Sequence, residues 1–295
     1  AHFLKAYNKA LKIPRGVFYT PRPVVSYIVR SVHELLQTEF GLTDGLADTT
    51  TWGEMLKKHP EMKLPLLSDA PGETQTISPH EPFVQILDPA TGTGGFLVCA
   101  IEHLRKQVHN ESQEAVLQNS IRGVEKKQMP HMLCVTNLLL HGIEVPSNIR
   151  HDNTLARPLR DYTQADRVDV VLTNPPFGGV EEPGIEQGYP ADVRTKETAD
   201  LFLVLIKHIL KTNGRAALVL PDGTLFGEGV KSRIKEQLLQ ECNLHTIVRL
   251  PNGVFAPYTG IKTNLLFFTK GQATQSVWYY EHPYPPGVKN YNKTK

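Results

Sequence analysis

Apolar residues follow two patterns along this chain, and the two patterns alternate from about residue 83 onward. Short, nearly continuous apolar runs, as in 168–174 (VDVVLTN) and 214–221 (GRAALVLP), are typical of strands buried on both faces. Longer stretches with helical spacing, as in 199–210 (ADLFLVLIKHIL), are typical of helices that cover a sheet. This alternation predicts an α/β fold with a mostly parallel sheet and helices on both faces.

The same pattern gives the order of the elements. Strands are predicted at 83–90, 120–125, 148–153, 168–174, 214–221, 244–250 and 263–270, and helices at 21–40, 96–107, 128–141, 199–210 and 229–241. The last two strands are joined by a loop of about a dozen residues with no helix. A parallel crossover usually needs more chain, so we expect these two strands to pair antiparallel.

The composition changes along the chain and divides it into four segments. We predict an N-terminal helical segment (1–40), an irregular insertion rich in Gly, Pro, Thr and Asp (41–82), a main α/β domain (83–285) and a tail (286–295). The chain begins at Ala1 rather than Met, in sequence that already looks helical. We interpret it as a fragment of a longer protein.

Charge and cysteine content narrow the class of protein. The chain has 295 residues and a net charge of +2, so its charge alone does not indicate a polyanionic partner. Cys99, Cys134 and Cys242 are scattered, which disfavours a zinc site or a disulfide scaffold and fits a reducing cytoplasm. No apolar run approaches the roughly 20 residues that span a membrane. We therefore expect a cytoplasmic protein without a membrane segment.

A glycine-rich loop follows the first predicted strand: Asp88-Pro-Ala-Thr-Gly-Thr-Gly-Gly-Phe96. Leu97 stands where a nicotinamide fingerprint needs a third small residue, and the Lys-Ser/Thr of a phosphate-binding loop is missing. The loop is therefore either a tight structural turn or a binding loop for a ligand without a pyrophosphate. Ligands of such sheets bind at the carboxyl ends of the strands, where glycines let them approach the backbone.

Three successive strands end in acidic residues. Asp88 could accept hydrogen bonds from an ammonium group, Glu125 suits a ribose diol, and Asp152 could accept from an exocyclic amine such as adenine N6. Each alone could be a solvated strand-end charge. Together with the glycine loop they describe a pocket for an adenosine with an amino-acid tail, which is S-adenosylmethionine. The residues predicted to contact it here are Asp88, Ala90, Thr91, Gly92, Thr93, Gly94, Gly95, Phe96, Glu125, Asp152 and Asn153.

The fourth strand ends in Asn174-Pro175-Pro176-Phe177. An exocyclic amine of a nucleobase is a poor nucleophile, and two acceptors that take its N–H protons would stabilise the positive charge that develops on nitrogen. Asn174 Oδ1 and the Pro175 carbonyl could be those acceptors, and Phe177 offers a face for the base. The alternative is a turn that merely ends the strand. We predict a catalytic motif made of Asn174, Pro175, Pro176 and Phe177.

These motifs resemble a known family. DPATGTGGF followed by NPPF resembles the cofactor and catalytic motifs of N6-adenine DNA methyltransferases. The stretches from 197 to 239 and from 250 to 268, and RGVFYTPRPVVSYIV at 15–29, resemble the modification (M) subunit of type I restriction–modification systems. The resemblance implies a Rossmann-like class I fold with a seven-stranded sheet and S-adenosylmethionine as methyl donor. It also implies that Phe18, Tyr19, Thr20 and Pro21 close over the methionine end of the cofactor.

The chain departs from that family at both ends. Family M subunits carry an N-terminal helical domain and a C-terminal helical region, and both are missing or truncated here. Residues 41–82 form a longer stretch than the family places between the two motifs. This length is more similar to single-chain enzymes that fuse a methyltransferase to a helicase.

A base in a duplex must be flipped out to reach such a pocket. Residues 178–197 are either a loop that orders on DNA or an ordinary surface loop. Aromatic residues in 254–260 lie near the strand tips, and we predict Phe255 as the second wall of the base pocket, with Tyr258 as the alternative. The other interpretation of Phe255 is a core aromatic residue.

The sequence contains no recognition-helix or zinc-finger motif that would read bases. Sequence specificity should therefore come from a partner or from a missing segment. The resemblance implies double-stranded DNA as the substrate and a complex with a specificity (S) subunit and a restriction (R) subunit. Two other functions stay open: methylation of a glutamine amide in a translation release factor, and a non-catalytic cofactor-binding scaffold.

Overall fold

The strands predicted from the sequence pair into one eight-stranded sheet in a computed structural model, which describes residues 20–48, 50–64, 74–256, 258–288 and 291. In chain order the strands are β1 (Ile86–Asp88), β2 (Ile121–Glu125), β3 (Ile149–His151), β4 (Val168–Thr173), β5 (Leu210–Pro221), β6 (Cys242–Arg249), β7 (Thr263–Lys270) and β8 (Trp278–Glu281). Their order across the sheet is β3-β2-β1-β4-β5-β7-β6-β8.

All pairs are parallel except those of β7, which runs antiparallel to both β5 and β6. The predicted antiparallel pairing of the last two strands is thereby confirmed for β6 and β7. The direction in which successive strands are added changes between β1 and β4. In open α/β sheets this switch point is where ligands bind, beyond the carboxyl ends of the strands.

Helices cover the sheet on both faces. They are α1 (Arg22–Phe40), α2 (Trp52–Lys58), α3 (Gly95–Leu104), α4 (Glu111–Ser120), α5 (Gln128–Leu140), α6 (Thr198–Ile209), α7 (Asp222–Phe226) and α8 (Val230–Glu241). None of the helices within the described ranges is long and apolar enough to cross a membrane.

Alternate residues of the central strands pack into two separate cores. In β7, Leu265 and Phe267 join the core under α1 and α3, whereas Leu266 and Phe268 join the core under α6 and α8. This two-sided burial explains why the strands are apolar without alternation, as the sequence analysis expected.

Helix α1 begins and ends where its sequence dictates. Pro21 lies at its N-cap and Gly41 ends it in the left-handed conformation, with φ of 61°. The side chains of Val25, Ile28 and Val32 are buried in the core under α1 and α3. Some of the predicted insertion 41–82 reaches the same core, through Trp52 and Met55 of α2 among others.

The sheet has one strand more than predicted, and this corrects the seven-stranded expectation. Strand β8 pairs with β6 at the edge of the sheet, and all four of its side chains are exposed. Its sequence therefore shows neither a buried run nor alternation. Helix α4 was also missed, although Asn110 caps it by accepting from Gln113 N at 2.9 Å.

Candidate active site

The carboxyl ends of β1, β2, β3 and β4 open into one cavity of about 470 Å³. This volume lies within the range of typical small-molecule sites. The cavity brings together many residues that the sequence placed apart: Pro89, Ala90, Gly92, Glu125, Lys126, Lys127, Pro130, Asp152, Asn153, Thr154, Asn174, Pro176, Gly179, Val180, Glu181, Glu182, Thr198 and Phe202 line it.

The glycine loop turns tightly between β1 and α3. Thr91 N donates to Val124 O at 3.0 Å, and Gly94 N donates to Thr91 O at 2.8 Å. Gly92 and Gly94 have φ of 55° and 84°, a region that L-residues rarely adopt. Of the loop residues predicted to contact a cofactor, Ala90 and Gly92 line the cavity. The others do not line it: Thr91, Thr93, Gly94, Gly95 and Phe96.

Asp88 lies at the tip of β1 but is almost fully buried, with 1% of its surface exposed. Its Oδ1 accepts from Thr173 Oγ1 at 2.6 Å and from Ala90 N at 3.1 Å. Burial raises the pKa of Asp88 to about 7, against the opposing effect of these hydrogen bonds. The carboxylate therefore joins the tip of the cofactor strand to the tip of the catalytic strand.

Glu125 is held with both oxygens engaged. Oε2 accepts from Gly92 N at 2.8 Å and Oε1 accepts from Lys127 N at 2.8 Å. Burial raises its pKa, and the two backbone donors oppose that shift. This places a fixed, partly desolvated carboxylate beside the glycine loop, as the sequence analysis expected.

Asp152 and Asn153 follow β3 on the same side of the cavity. Asp152 is exposed, and its Oδ1 accepts from Asn153 N at 2.8 Å. Asn153 Oδ1 caps a short helical turn by accepting from Leu155 N at 3.1 Å. Asp152 thus keeps an oxygen available to a ligand amine.

The end of β4 places Asn174 at the cavity with its amide held at one end. Nδ2 donates to Thr20 Oγ1 at 2.7 Å. Oδ1 is buried and accepts no hydrogen bond from the residues that the structure describes. A buried acceptor without a donor is costly, so this oxygen is a position where a ligand N–H would be stabilising.

Phe177 and Phe255 lie against each other. Their ring centroids are 5.4 Å apart at an interplanar angle of 89°, and both side chains are buried. The two predicted walls of the base pocket are therefore close together, with the edge of one ring on the face of the other. Tyr258, the alternative wall, is half-buried on the same loop, and its N–H donates to Phe255 O at 2.9 Å.

Only part of the predicted Phe-Tyr-Thr-Pro segment can be placed. Phe18 and Tyr19 lie outside the described residues. Thr20 contacts Asn174, and Pro21 precedes α1. The placed residues thus connect this segment to the catalytic motif.

Sequence reasoning did not identify several residues of the site. Phe202 and Thr198 of α6 line the cavity, but the apolar pattern of α6 gave them only a packing role. Glu181 lies in segment 178–197, for which the sequence predicts only a loop, yet it lines the cavity and contacts Lys126 and Asn153. Such contacts between distant loops leave no mark in local sequence.

The residues present fit S-adenosylmethionine. The cavity has the size for it, the carboxylates of Glu125 and Asp152 face it from two strands, and Gly92 has open space where a Cβ would point. Among the described residues, no group of three or more His, Cys, Asp or Glu side chains is placed to hold a metal ion.

The strand order, the glycine loop after β1 and the acidic residue ending β2 define a Rossmann-like class I methyltransferase fold. A class I S-adenosylmethionine-dependent methyltransferase from Listeria monocytogenes shares this fold, with a TM-score of 0.53 at 16% identity. The alignment covers 88% of this chain and 92% of that one. A family model described as N-6 DNA Methylase matches residues 75–295, and the chain belongs to this family.

Curated relatives are methylase subunits of type I restriction enzymes. The EcoEI methylase subunit of Escherichia coli is 67% identical over 211 residues, which are 71% of this chain and 43% of that protein. The EcoKI methylase subunit of Escherichia coli strain K12 is 34% identical over 223 residues, covering 68% of this chain and 40% of that protein. The chain thus spans about two-fifths of the length of these relatives.

Solved structures agree with this family. A modification subunit assigned to a type I restriction enzyme from Vibrio vulnificus is 44% identical, with a TM-score of 0.77, over 100% of this chain and 52% of that one. The EcoKI M protein is 30% identical, with a TM-score of 0.60, over 72% of this chain and 48% of that one.

Proposed function

We propose that this chain carries the catalytic domain of an N6-adenine DNA methyltransferase, the modification subunit of a restriction–modification system. The observation that carries the proposal is the buried Oδ1 of Asn174, an acceptor without a donor at the edge of the cofactor cavity. Its partner Thr20 fixes the amide so that the oxygen, not the nitrogen, is left for a ligand. Membership of the N-6 DNA Methylase family supports adenine as the target.

Asn174 and Pro175 act on the target amine. When bound, S-adenosylmethionine supplies a methyl group made electrophilic by its positively charged sulfur. Asn174 Oδ1 and the Pro175 carbonyl accept the two N–H protons of adenine N6, which favours the positive charge that develops there. Neither oxygen is basic enough to remove a proton. The proton lost when the nitrogen–carbon bond forms therefore passes to water.

Phe177 supplies the stacking face for the flipped adenine. Since the rings of Phe177 and Phe255 pack at 89° with centroids 5.4 Å apart, a base that stacks between them must displace Phe255. Such aromatic pairs contribute only about 0.5–1.5 kcal/mol beyond burial. Stacking with a base can offset that cost.

The cofactor is held by three strand ends. Glu125 accepts from the ribose hydroxyls, and Asp152 accepts from the adenine amine. Asp88, which does not itself line the cavity, attracts the ammonium end by its charge. Ala90 and Gly92 of the glycine loop line the same cavity, and the resemblance to the family motif assigns the methionine end to segment 18–21.

The partners follow from the relatives. The type I methylase subunits named above are parts of restriction enzymes, and a structure described as type I R-M complex assembly is 34% identical over 99% of this chain. We therefore propose double-stranded DNA as substrate, a specificity subunit that selects the site, and a restriction subunit in the same complex. The described cysteines are free thiols, which fits a cytoplasmic location.

The test is transfer of labelled methyl from S-adenosylmethionine to unmethylated DNA by the full-length chain with its specificity partner, followed by nucleoside analysis. We expect label in N6-methyladenine, and we expect Asn174→Ala to lower the rate about 10²–10³-fold, as loss of an electrostatic acceptor does. Cofactor affinity should change little, because the Asn174 oxygen faces the target amine.

Bound cofactor with unlabelled DNA would contradict the proposal. Release-factor glutamine would then be the next substrate to assay. The relatives named above at 30% identity or more are methylase or modification subunits of type I restriction enzymes, which does not favour that substrate.

A further inference from the structure

The segment that follows the predicted catalytic motif, residues 178–197, borders the cavity through its first residues, 179–182. Its two ends are joined, since Val180 pairs with Glu197 and Thr198 N donates to Gly179 O at 2.9 Å. Glu181 N also donates to Lys196 O at 2.9 Å. Residues 179–182 line the cavity, so this part of the segment forms one of its walls.

The carboxylate of Glu181 fastens this wall to three other elements. Oε2 accepts from Lys126 Nζ, just after β2, at 3.0 Å and from Asn153 Nδ2, just after β3, at 3.3 Å. Oε1 accepts from Thr198 Oγ1, at the start of α6, at 3.2 Å. The Glu181 side chain is only 10% exposed, so these bonds are shielded from water. Glu181 therefore connects the segment that follows β4 to the ends of β2 and β3, which carry the residues proposed to bind the adenosine.

The charges around Glu181 favour this arrangement. Lys126 contacts Glu181 Oε2 and Glu182 Oε1, each at 3.0 Å. Partial burial lowers the pKa of Lys126, but the two carboxylates outweigh it and the net shift is upward. The ammonium group of Lys126 thus stays charged beside a carboxylate that is largely shielded from solvent.

We propose that Glu181 is a positioning residue that holds segment 178–197 closed over the cofactor, so that S-adenosylmethionine and its demethylated product leave only when Glu181 releases Lys126, Asn153 and Thr198. This inference rests on the proposed function, since it assigns the cavity to that cofactor. It adds a residue that controls how long the ligand stays.

The experiment measures dissociation rates of S-adenosylmethionine and S-adenosylhomocysteine from the full-length chain by stopped-flow displacement. Glu181→Gln removes the negative charge that pairs with Lys126 and replaces the oxygen that accepts from Thr198 Oγ1 by an NH₂ group. The ion pair is lost, and Thr198 must change from donor to acceptor to keep its hydrogen bond. Hydrogen bonds to charged groups contribute enough that we expect both ligands to dissociate about tenfold faster. The matched control is Glu186→Gln, the same change on the same segment. Glu186 does not line the cavity, and it contacts Gly184 N and Lys196.

Two further readouts separate positioning from a structural role. Added salt should speed dissociation from the unmodified chain and have less effect on Glu181→Gln, because salt screens the exposed Lys126 end of the ion pair. The single-turnover methyl-transfer rate at saturating cofactor should stay within about twofold in Glu186→Gln, which does not line the cavity. In Glu181→Gln any loss of this rate should be smaller than the gain in ligand dissociation rate.

Equal dissociation rates for Glu181→Gln and Glu186→Gln would overturn the inference and leave the proposed function intact. Failure of the unmodified chain to bind either ligand would overturn both. Faster dissociation together with a collapsed single-turnover rate would show that Glu181 shapes the catalytic motif instead, and would also overturn the inference.

Discussion

Asn174 shows how one hydrogen bond can orient a catalytic side chain. An amide can present either its oxygen or its nitrogen to a ligand, and only the oxygen accepts the protons of an amine. Since Nδ2 of Asn174 donates to Thr20 Oγ1, the oxygen is the end that is left at the cavity. Thr20 precedes α1, so a helix outside the predicted main domain supports the catalytic motif.

Thr20→Val is expected to slow methyl transfer roughly tenfold, because it keeps the shape of the side chain and leaves the Asn174 N–H₂ without an acceptor. The measurement is the single-turnover rate at saturating S-adenosylmethionine and DNA. Thr20→Ser keeps the hydroxyl and is the control, with a rate close to that of the unmodified chain. Equal rates for Val and Ser would contradict the orienting role of Thr20.

Residues at strand ends could be predicted because their position follows from the fold. Glu125, Asp152 and Asn174 each come directly at or after an apolar run, and parallel strands bring such ends to one edge. Asp88 fits the pattern in position but is buried against Thr173, a contact between strands 85 residues apart in sequence. Glu181 could not be found this way because its partners come from three other elements.

The glycines of the loop between β1 and α3 are required for different reasons. The loop can therefore be a tight structural turn and a ligand-binding loop at the same time. Gly94 has φ of 84° and packs on α5, where an added Cβ would lie 2.8 Å from Cys134 Sγ. Gly92 and Gly95 have open space at that position.

Gly94→Ala is therefore expected to destabilise the fold by about 2 kcal/mol, from the left-handed backbone and the contact with Cys134. Gly95→Ala, at the first position of α3 with open space around it, should be close to neutral. Urea unfolding of the full-length chain and both variants measures the difference. A neutral Gly94→Ala would show that the loop can adopt another turn.

Elements buried on both faces were predicted well, and exposed ones were not. The central residues of β4, β5 and β7 are apolar because both cores need them. Strand β5 begins at Leu210, four residues before the predicted start, because pairing with Val168 of β4 extends it backwards through a polar stretch. Strand β8 is fully exposed, so hydrophobic pattern carries no information about it.

At the scale of the molecule, the site lies where strand order reverses between β1 and β4. Strands β1, β2 and β3 lie on one side of this point, and β4, β5 and β7 lie on the other. The residues proposed to bind the cofactor at strand ends follow β1, β2 and β3, and the residues proposed for catalysis follow β4. The first set therefore precedes the second in the chain.

The stability of the whole chain should depend on Asp88. Its pKa of about 7 in the folded chain lies above the value of about 4 in an unfolded one, so the folded state retains a proton that the unfolded state loses. Stability is therefore lost as pH rises from about 4 to about 7. Asp88→Asn removes this titration while keeping an acceptor for Thr173.

Relative to Asp88→Asn, the unmodified chain without cofactor should lose about 1 kcal/mol of unfolding free energy per pH unit between pH 5 and pH 7. Denaturant unfolding at pH 5, 6 and 7 measures the two slopes. Parallel slopes would show that Asp88 is ionised throughout this range. The charge of Glu125 helps to raise the pKa of Asp88, so the difference between the two slopes includes this interaction.

The bond of 2.6 Å between Thr173 and Asp88 connects the residue before Asn174 to the end of β1, and is a direct contact through which the two proposed ligand sites would be coupled. A positively charged ligand group near Asp88 favours its ionised form, and the hydroxyl bound to it belongs to the residue before Asn174. Coupling of this kind is reciprocal: whatever factor the cofactor applies to the affinity for DNA, DNA applies to the affinity for the cofactor. The total free energy of binding cofactor and DNA is the same whichever ligand binds first, and only the association rates decide the order of binding.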